Sequence, residues 1–180
     1  CFKNKLTSLN LISNTALKTV NCSENLLTNL NLGSNTVLTT LDCATNSLVS
    51  LNMSKNTALK TVNCYNNSLT SINLDSNTAL TTVNCANNSL VTLDVTKNTA
   101  LTEFYCNNNV LTGLNLDSNT LLKAVNCANN SLYKLNLKNG NNTAIASFNA
   151  TTNPNLSCLE VDDVAWSTTN WTNIDGATSF

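Results

Sequence analysis

Cysteine recurs at a fixed interval of 21 residues over most of this 180-residue chain. The series is Cys1, Cys22, Cys43, Cys64, Cys85, Cys106 and Cys127, and Cys158 lies outside it. A constant interval of this size is typical of repeat proteins, in which each repeat packs only against its neighbours. The chain is therefore predicted to be a stack of equivalent units.

Each 21-residue unit consists of two similar halves. The first reads L-x-x-V-x-C-x-x-N, as in "LKTVNCSEN" (17–25), and the second reads L-x-x-L-x-L-x-x-N, as in "LTNLNLGSN" (27–35). Alternation with a period of two indicates one short strand in each half. Such strands are too short to be stable alone, so each must pair with its copy in the next unit.

The predicted fold is a mainly β solenoid of about seven coils with two short parallel β-ladders per coil. One ladder forms the Cys face, on which Thr19 and Asn21 and their equivalents every 21 residues point outward. The other forms the Leu face, on which Asn29 and Asn31 and their equivalents point outward.

The regular cysteines are predicted to pack in the core. Neighbouring coils lie about 4.8 Å apart, whereas a disulfide needs Cβ atoms at ~3.5–4.5 Å, and a straight row of thiols cannot surround a zinc ion. Free cysteine behaves as a small buried hydrophobe. We expect neither a metal site nor a cofactor.

Asparagine makes up about a fifth of the chain and ends each half-unit, where the chain must turn. Its amide can bond to backbone groups of its own and neighbouring coils, so both columns are interpreted as structural. The first column is Asn4, Asn25, Asn46, Asn67, Asn88, Asn109 and Asn130, and the second is Asn14, Asn35, Asn56, Asn77, Asn98 and Asn119.

The composition argues against several classes of function. Charged residues are 11% of the chain, the net charge is −1, and all nine basic residues are lysines. Without a basic surface or the forked hydrogen bonds of arginine, nucleic acid is an unfavoured partner. No apolar run approaches the ~18 residues of a membrane span, so no membrane insertion is expected. The chain has no histidine, which removes His-based catalytic triads.

The pattern L-x-x-L-x-C/L-x-x-N resembles the leucine-rich repeat signature. The doubled 21-residue form resembles the bacterial IRREKO type, in which both halves carry the strand motif. The resemblance covers residues 1 to about 140, over thirteen consecutive half-repeats, and lapses only where Gly140 takes the last asparagine position. The closing segment "NPNLSCLEVDDVAWSTTNWTNIDGATSF" is similar to the ends of secreted bacterial proteins of this group. The resemblance implies a secreted or cell-surface protein that binds a protein or a glycan.

The repeat changes register near residues 138–144, since the next apolar positions come two residues late, at Ile145 and Phe148. We expect a solenoid over 1–161 and a non-repetitive C-terminal cap over 162–180.

Trp166 and Trp171 are expected to cover the open end of the core in this cap. Cys158 falls on an outward position, and its disulfide partner is expected beyond Phe180. Cys1 already lies on the repeat, so we also expect residues before it.

Outward residues that depart from the repeat are the candidates for function, because folding does not dictate them. On the Cys face these include Tyr65, Glu103 and Tyr105. The two tyrosines lie two coils apart, about 10 Å along the solenoid. With Asn63 and Asn84 they could hold a sugar or a protein segment, each Tyr acting as a rigid amphipathic anchor. The alternative is a pair of unrelated surface aromatics.

Three classes of function remain open, and the oligomeric state stays undetermined. The favoured class is a non-enzymatic extracellular recognition or adhesion module that binds protein or glycan through a flat face. An ice-binding protein, or another binder of regular lattices, is the alternative. Its ladder of Thr-x-Asn is supplied by Thr19, Thr40, Thr61 and Thr82 with Asn21, Asn63 and Asn84. Glu103 and Tyr105 interrupt that array.

A polysaccharide-active enzyme is the least favoured class, and no catalytic residue is assigned. The one adjacent acidic pair is Asp162 and Asp163, in the cap, where Asp163 is expected to cap a short helix.

Overall fold

The chain forms short strands joined by tight turns. The computed structural model describes residues 1–176 and 178–180. In this part the strands are β1 (Thr19–Asn21), β2 (Thr40–Asp42), β3 (Thr61–Asn63), β4 (Thr82–Asn84), β5 (Glu103–Tyr105), β6 (Gly113–Asn115), β7 (Ala124–Asn126), β8 (Lys134–Asn136), β9 (Ser147–Asn149) and β10 (Cys158–Glu160). A 3-10 helix spans Asn142–Ala144, and helix α1 spans Val164–Asn170.

The Cys face is a parallel sheet in the order β1-β2-β3-β4-β5-β7-β9. Each strand pairs in register with its copy in the next coil, so that Val20 lies opposite Leu41 and Leu41 lies opposite Val62. The central residue of each strand is buried and the outer two are more exposed. The predicted mainly β solenoid with a 21-residue period is confirmed.

The Leu face forms regular strands in its last three coils only, within the described residues. These strands form a second parallel sheet in the order β10-β8-β6. In earlier coils the same alternation buries Leu30 and Ile72, but these remain 7% and 9% exposed, whereas Leu135 in β8 is 0% exposed. Among the described residues, strand pairing on this face is therefore confined to the last three coils.

The cysteine column is packed inside the solenoid, as predicted. From Cys22 to Cys127 the six cysteines of the series are completely buried, and Ala150 fills the same position one coil later. All eight cysteines are free. Burial raises the pKa of the Cys64 and Cys127 thiols from the ordinary 9.0 to about 12, so these side chains are neutral at pH 7.

The first asparagine column ties neighbouring coils together. The Nδ2 group of Asn88 donates to the carbonyl oxygens of Cys64 at 3.1 Å, Cys85 at 3.1 Å and Ala86 at 3.2 Å. Its Oδ1 accepts the Leu69 amide of the preceding coil at 3.0 Å. One side chain thus satisfies four backbone groups at a turn, which confirms the structural interpretation of this column.

The second column bonds differently and is more deeply buried. Asn77 donates from Nδ2 to the carbonyl oxygens of Met53 at 3.0 Å and Asn56 at 2.9 Å. Its Oδ1 is buried with no partner among the described residues, as in Asn35, Asn56, Asn98 and Asn119. At the register change the column continues through Asn139, which donates to the Asn119 carbonyl at 3.0 Å, because Gly140 occupies the repeat position without a side-chain amide.

A third column has a left-handed backbone. The residue two places after each regular cysteine has a φ between 53° and 57°, and in four coils this residue is asparagine. Its members are Lys3, Glu24, Thr45, Asn66, Asn87, Asn108 and Asn129. Asparagine tolerates this conformation better than most residues. This explains the first Asn of each Asn-Asn pair, while the second belongs to the first column.

The C-terminal coil contains two extra residues, which the 3-10 helix accommodates. Val125 pairs with Phe148, 23 residues later, and Ile145 is buried. Asp163 caps α1 by accepting the Trp166 amide at 2.9 Å, as predicted. Trp171 is 4% exposed and stacks on Phe148 with ring centroids 4.3 Å apart. The division into solenoid (1–161) and cap (162–180) stays a prediction.

Candidate functional site

The predicted site residues lie on adjacent strands of the Cys face. In the register of the sheet, Tyr105 on β5 is opposite Asn84 on β4, and Asn84 is opposite Asn63 on β3. Glu103 is opposite Thr82. Because neighbouring strands are about 4.8 Å apart, Asn63, Asn84 and Tyr105 form one row about 10 Å long, with Glu103 beside its end.

The outward asparagines in this row also have a structural role that the sequence reading missed. Asn84 Oδ1 accepts the Ala86 amide at 3.2 Å, and Asn63 Oδ1 accepts the Tyr65 amide at 3.3 Å. The same turn is made by Asn21, Asp42, Asn126 and Asn149. These are Asx turns, which end six of the seven strands of the Cys face. Asn63 Nδ2 also donates to Asp42 Oδ1 at 3.1 Å, so both polar atoms of Asn63 are already bonded.

Tyr105 is the exception in this row. Six of the seven Cys-face strands end in Asn or Asp, and β5 ends in Tyr105. A phenol cannot accept the amide two residues later as a short carboxamide does, so β5 lacks an Asx turn that is worth about 1 kcal/mol. Partial burial raises the pKa of the Tyr105 phenol, and the nearby Glu103 charge adds to this effect. The phenol is therefore a neutral, half-buried hydrogen-bonding group at pH 7.

Tyr65 lies in the next row, after the end of β3. Its side chain is 36% exposed, and its hydroxyl accepts a hydrogen bond from Asn87 Nδ2 at 2.9 Å. The ring therefore extends to the coil of β4. Tyr65 and Tyr105 thus lie on the two sides of the coil that carries Asn84, which makes a small aromatic and polar surface on an otherwise uniform face.

The other acidic candidates are occupied by structural contacts. Asp162 accepts the Gly140 amide at 2.7 Å, and Asp163 caps α1. Within residues 1–176 and 178–180, no three acidic or cysteine side chains are grouped so that they could hold a metal ion. The same residues contain no helix with the length and apolar character that a membrane crossing requires.

Similarity to known proteins lies in the fold. No protein-family model and no curated protein sequence matches the chain. The functional domain of InlJ from Listeria monocytogenes, which includes a cysteine ladder, is 29% identical, with a TM-score of 0.67 over 91% of this chain and 44% of that one. Internalin C2 from L. monocytogenes strain 4b F2365 is 17% identical, with a TM-score of 0.76 over 96% and 76% of the two chains. The TLR13–ssRNA13 complex is 21% identical, with a TM-score of 0.60 over 82% and 25%.

These likenesses define the class of the molecule: the chain has the leucine-rich repeat fold, in a form with a 21-residue period, and it is similar to bacterial proteins of that fold. Its column of buried cysteines is a feature in common with the InlJ domain. The chain spans less than half the length of the InlJ structure.

Proposed function

We propose that the chain is a non-enzymatic recognition module whose Cys face binds a protein or a glycan at Tyr65, Glu103 and Tyr105, with Asn84 and Asn63 beside them. The observation that carries the proposal is Tyr105 itself. It occupies a position where six other strands use the turn-forming Asn or Asp. A residue that gives up a local hydrogen bond in exchange for a partly exposed aromatic ring is typical of a binding surface.

The chemistry of this surface suits a partner with both apolar and hydrogen-bonding groups. The tyrosines offer flat rings with hydroxyl tips, and Glu103 is an exposed acceptor opposite Thr82. Sugar hydroxyls or the lysine and arginine side chains of a peptide are complementary to such an acceptor. The in-register sheet provides a rigid platform, so little ordering entropy is lost on binding.

Secretion or display at the cell surface is part of this proposal, and it rests on the resemblance to IRREKO-type proteins. It is tested by protease accessibility of the protein on intact cells and by its presence in the medium. Nucleic acid is a less suitable partner. Although TLR13 is seen with ssRNA13 on this fold, this chain has nine lysines, no arginine and a net charge of −1.

The binding test uses a fluorescently labelled chain on a glycan array and a peptide array, with Tyr105→Asn and Tyr65→Ala as variants. Tyr105→Asn restores the repeat residue. It should raise the free energy of unfolding by about 1 kcal/mol through the Asx turn while weakening binding at least about tenfold. Tyr133→Ala is the control, because Tyr133 is exposed and lies next to β8 of the Leu face. Equal binding by Tyr105→Asn, Tyr65→Ala and the wild-type chain would refute the proposed surface, as would the absence of binding on both arrays.

Binding to a regular lattice such as ice is the second candidate. Register pairing aligns Thr19, Thr40, Thr61 and Thr82 in a straight row on the Cys face. A further row of six exposed threonines follows the second asparagine column at Thr15, Thr36, Thr57, Thr78, Thr99 and Thr120. Growth of ice crystals in the presence of the chain tests this function, and unmodified crystal shape and growth rate would rule it out.

A further inference from the structure

A cavity of about 380 Å³ lies between β9 and the end of α1, away from the tyrosine surface. One wall is formed by residues between Thr143 and Phe148, where the chain enters β9 after the register change near 138–144. The other wall is the end of α1 and the residues after it, from Trp166 to Asn173. The volume is within the ~300–1,000 Å³ range of small-molecule sites.

Three aromatic side chains, those of Phe148, Trp166 and Trp171, stand in the lining of this cavity. Trp171 is held by its stack on Phe148, and Trp166 meets Trp171 edge to face with ring centroids 5.9 Å apart. Trp171 is buried and Trp166 is only partly buried, so Trp166 is the ring with a surface available to a ligand. The faces of aromatic rings carry negative charge density, which attracts polarised C–H groups.

Apart from Ile145 and Ala146, the remaining lining is polar and uncharged. Thr143, Ser147 and Thr172 carry hydroxyl groups and are exposed. The amide of Asn170 also faces solvent, although its Nδ2 group donates to the Trp166 carbonyl at 2.8 Å. Each hydroxyl can both donate and accept, which matches the hydroxyls of a sugar. No Asp, Glu or Lys lines the cavity among the described residues, so nothing there would compensate a charged ligand.

We propose that this cavity binds one residue of a neutral sugar, with Trp166 as the stacking ring and with Thr143, Asn170 and Thr172 as hydrogen-bonding partners. A purely apolar ligand would leave these polar groups without partners, and an anionic ligand would meet no cation. From the sequence, both tryptophans were expected only to cover the end of the core and not to bind a ligand. This site is separate from Tyr65 and Tyr105, so the two proposals can fail independently.

Intrinsic fluorescence gives a direct test, because Trp166 and Trp171 are the two tryptophans of the chain and both line the cavity. The chain is titrated with the methyl glycosides of glucose, galactose, mannose and N-acetylglucosamine, and with methyl glucuronide as the charged comparison. We expect at least one neutral glycoside to change the emission saturably, and we expect the glucuronide to be the weaker ligand.

Substitutions inside and outside the cavity lining test whether the fluorescence change comes from a ligand in this cavity. Ala146→Leu adds bulk at an exposed lining position and should weaken affinity at least about tenfold, whereas Ala144→Leu, at an exposed position outside the lining, should not. Tyr105→Asn should also bind normally.

Several results would overturn the sugar site. These are no response to any neutral glycoside, equal affinities of Ala146→Leu and Ala144→Leu for the same glycoside, and stronger binding of the glucuronide. A response to peptides without any response to sugars would do the same, and it would identify the cavity as a peptide site.

Discussion

Asparagine has four separate structural roles within a single coil of this protein. Asn88 bonds to the backbones of two coils, and Asn77 does so at the opposite turn with its Oδ1 left unpaired. Asn87 supplies a left-handed backbone, and Asn84 forms the Asx turn that ends β4. A small carboxamide suits all four roles because it donates, accepts and tolerates positive φ. The high asparagine content therefore follows from the geometry of the coil.

Thr45 is poorly suited to its place in the left-handed column. Its φ is 54°, and a β-branched residue is strained there by about 1–2 kcal/mol. Asparagine occupies the equivalent position at 66, 87, 108 and 129. Thr45→Asn should therefore raise the free energy of unfolding by about 0.5–1 kcal/mol, and Thr45→Gly should give a similar gain, measured by urea denaturation.

The control is Thr40→Asn, five residues earlier in the same coil. Thr40 begins β2 in extended backbone, where threonine is favoured and asparagine is not. This substitution should lower stability by some tenths of a kcal/mol. If Thr45→Asn were no more stable than the wild-type chain, the left-handed column would not carry the strain assigned to it.

For single residues, the sequence predicts a structural role when equivalent positions of successive coils carry the same amino acid. It does not predict the role when those positions carry different amino acids. Both asparagine ladders could be predicted because no other residue interrupts them before Gly140. The left-handed column was missed because Lys3, Glu24 and Thr45 obscure it. Asn63 was predicted to bind ligand, but its two polar atoms are bonded to Asp42 and the Tyr65 amide, which only the folded register reveals.

At the scale of elements, the cysteine column gives the protein a dependence on alkaline pH. Burial raises the pKa of the Cys64 and Cys127 thiols to about 12 in the folded chain, whereas the ordinary pKa of 9.0 applies in the unfolded chain. The folded state thus holds more protons than the unfolded state between these values. Their contribution to stability is complete below pH 9 and is lost as pH rises from 9 to 12.

The double variant Cys64→Ala, Cys127→Ala isolates this effect. The positions are three coils apart, so their contributions should add. Between pH 7 and pH 10 the free energy of unfolding of the wild-type chain should fall by about 3 kcal/mol more than that of the variant, because each thiol contributes about 1.4 kcal/mol. The measurement is urea unfolding at both pH values with reductant present. Parallel losses in the two proteins would mean that the buried thiols do not control alkaline stability.

The two sheets differ in how well the sequence predicts them. The Cys-face sheet was predicted from the alternation of inward and outward residues, and each of its strands pairs with its copy in the next coil. The Leu-face pattern is equally regular from Leu30 to Leu135, but it pairs as strands only from β6 onward. Alternation of apolar residues fixes which side chains are buried, but it does not determine whether two backbones come close enough to bond.

At the scale of the whole molecule, the sequence predicts the stack but not the cavity. The coils repeat, so one coil predicts the next. The cavity is formed by two segments without a period, from Thr143 to Phe148 and from Trp166 to Asn173, and their proximity depends on the register change and on the stack of Trp171 against Phe148. The linear pattern predicts that Trp166 and Trp171 cover the end of the core, but it does not predict that these two segments enclose a cavity.

A stack in which each coil touches only its neighbours should unfold from its ends. The first coil is already less covered, since Leu6, Leu9 and Leu11 are only partly buried while Leu48 and Leu69 are completely buried. In a polypeptide of residues 1–180, hydrogen exchange should therefore be faster at the Lys3 amide than at the Cys64 amide, although both donate to carbonyls of the next coil.

Trp171→Ala tests how far such a disturbance travels along the stack. Removing a buried tryptophan costs about 3–5 kcal/mol locally, because the ring covers Phe148 at the end of the core. In a one-dimensional stack, exchange protection should fall strongly in β9, less in β7, and hardly at all in β2 and β3. Residue-resolved hydrogen exchange measures this gradient. A uniform loss of protection from β2 to β9 would instead mean that the coils unfold as one cooperative unit, so that the end of the solenoid controls the stability of its binding face.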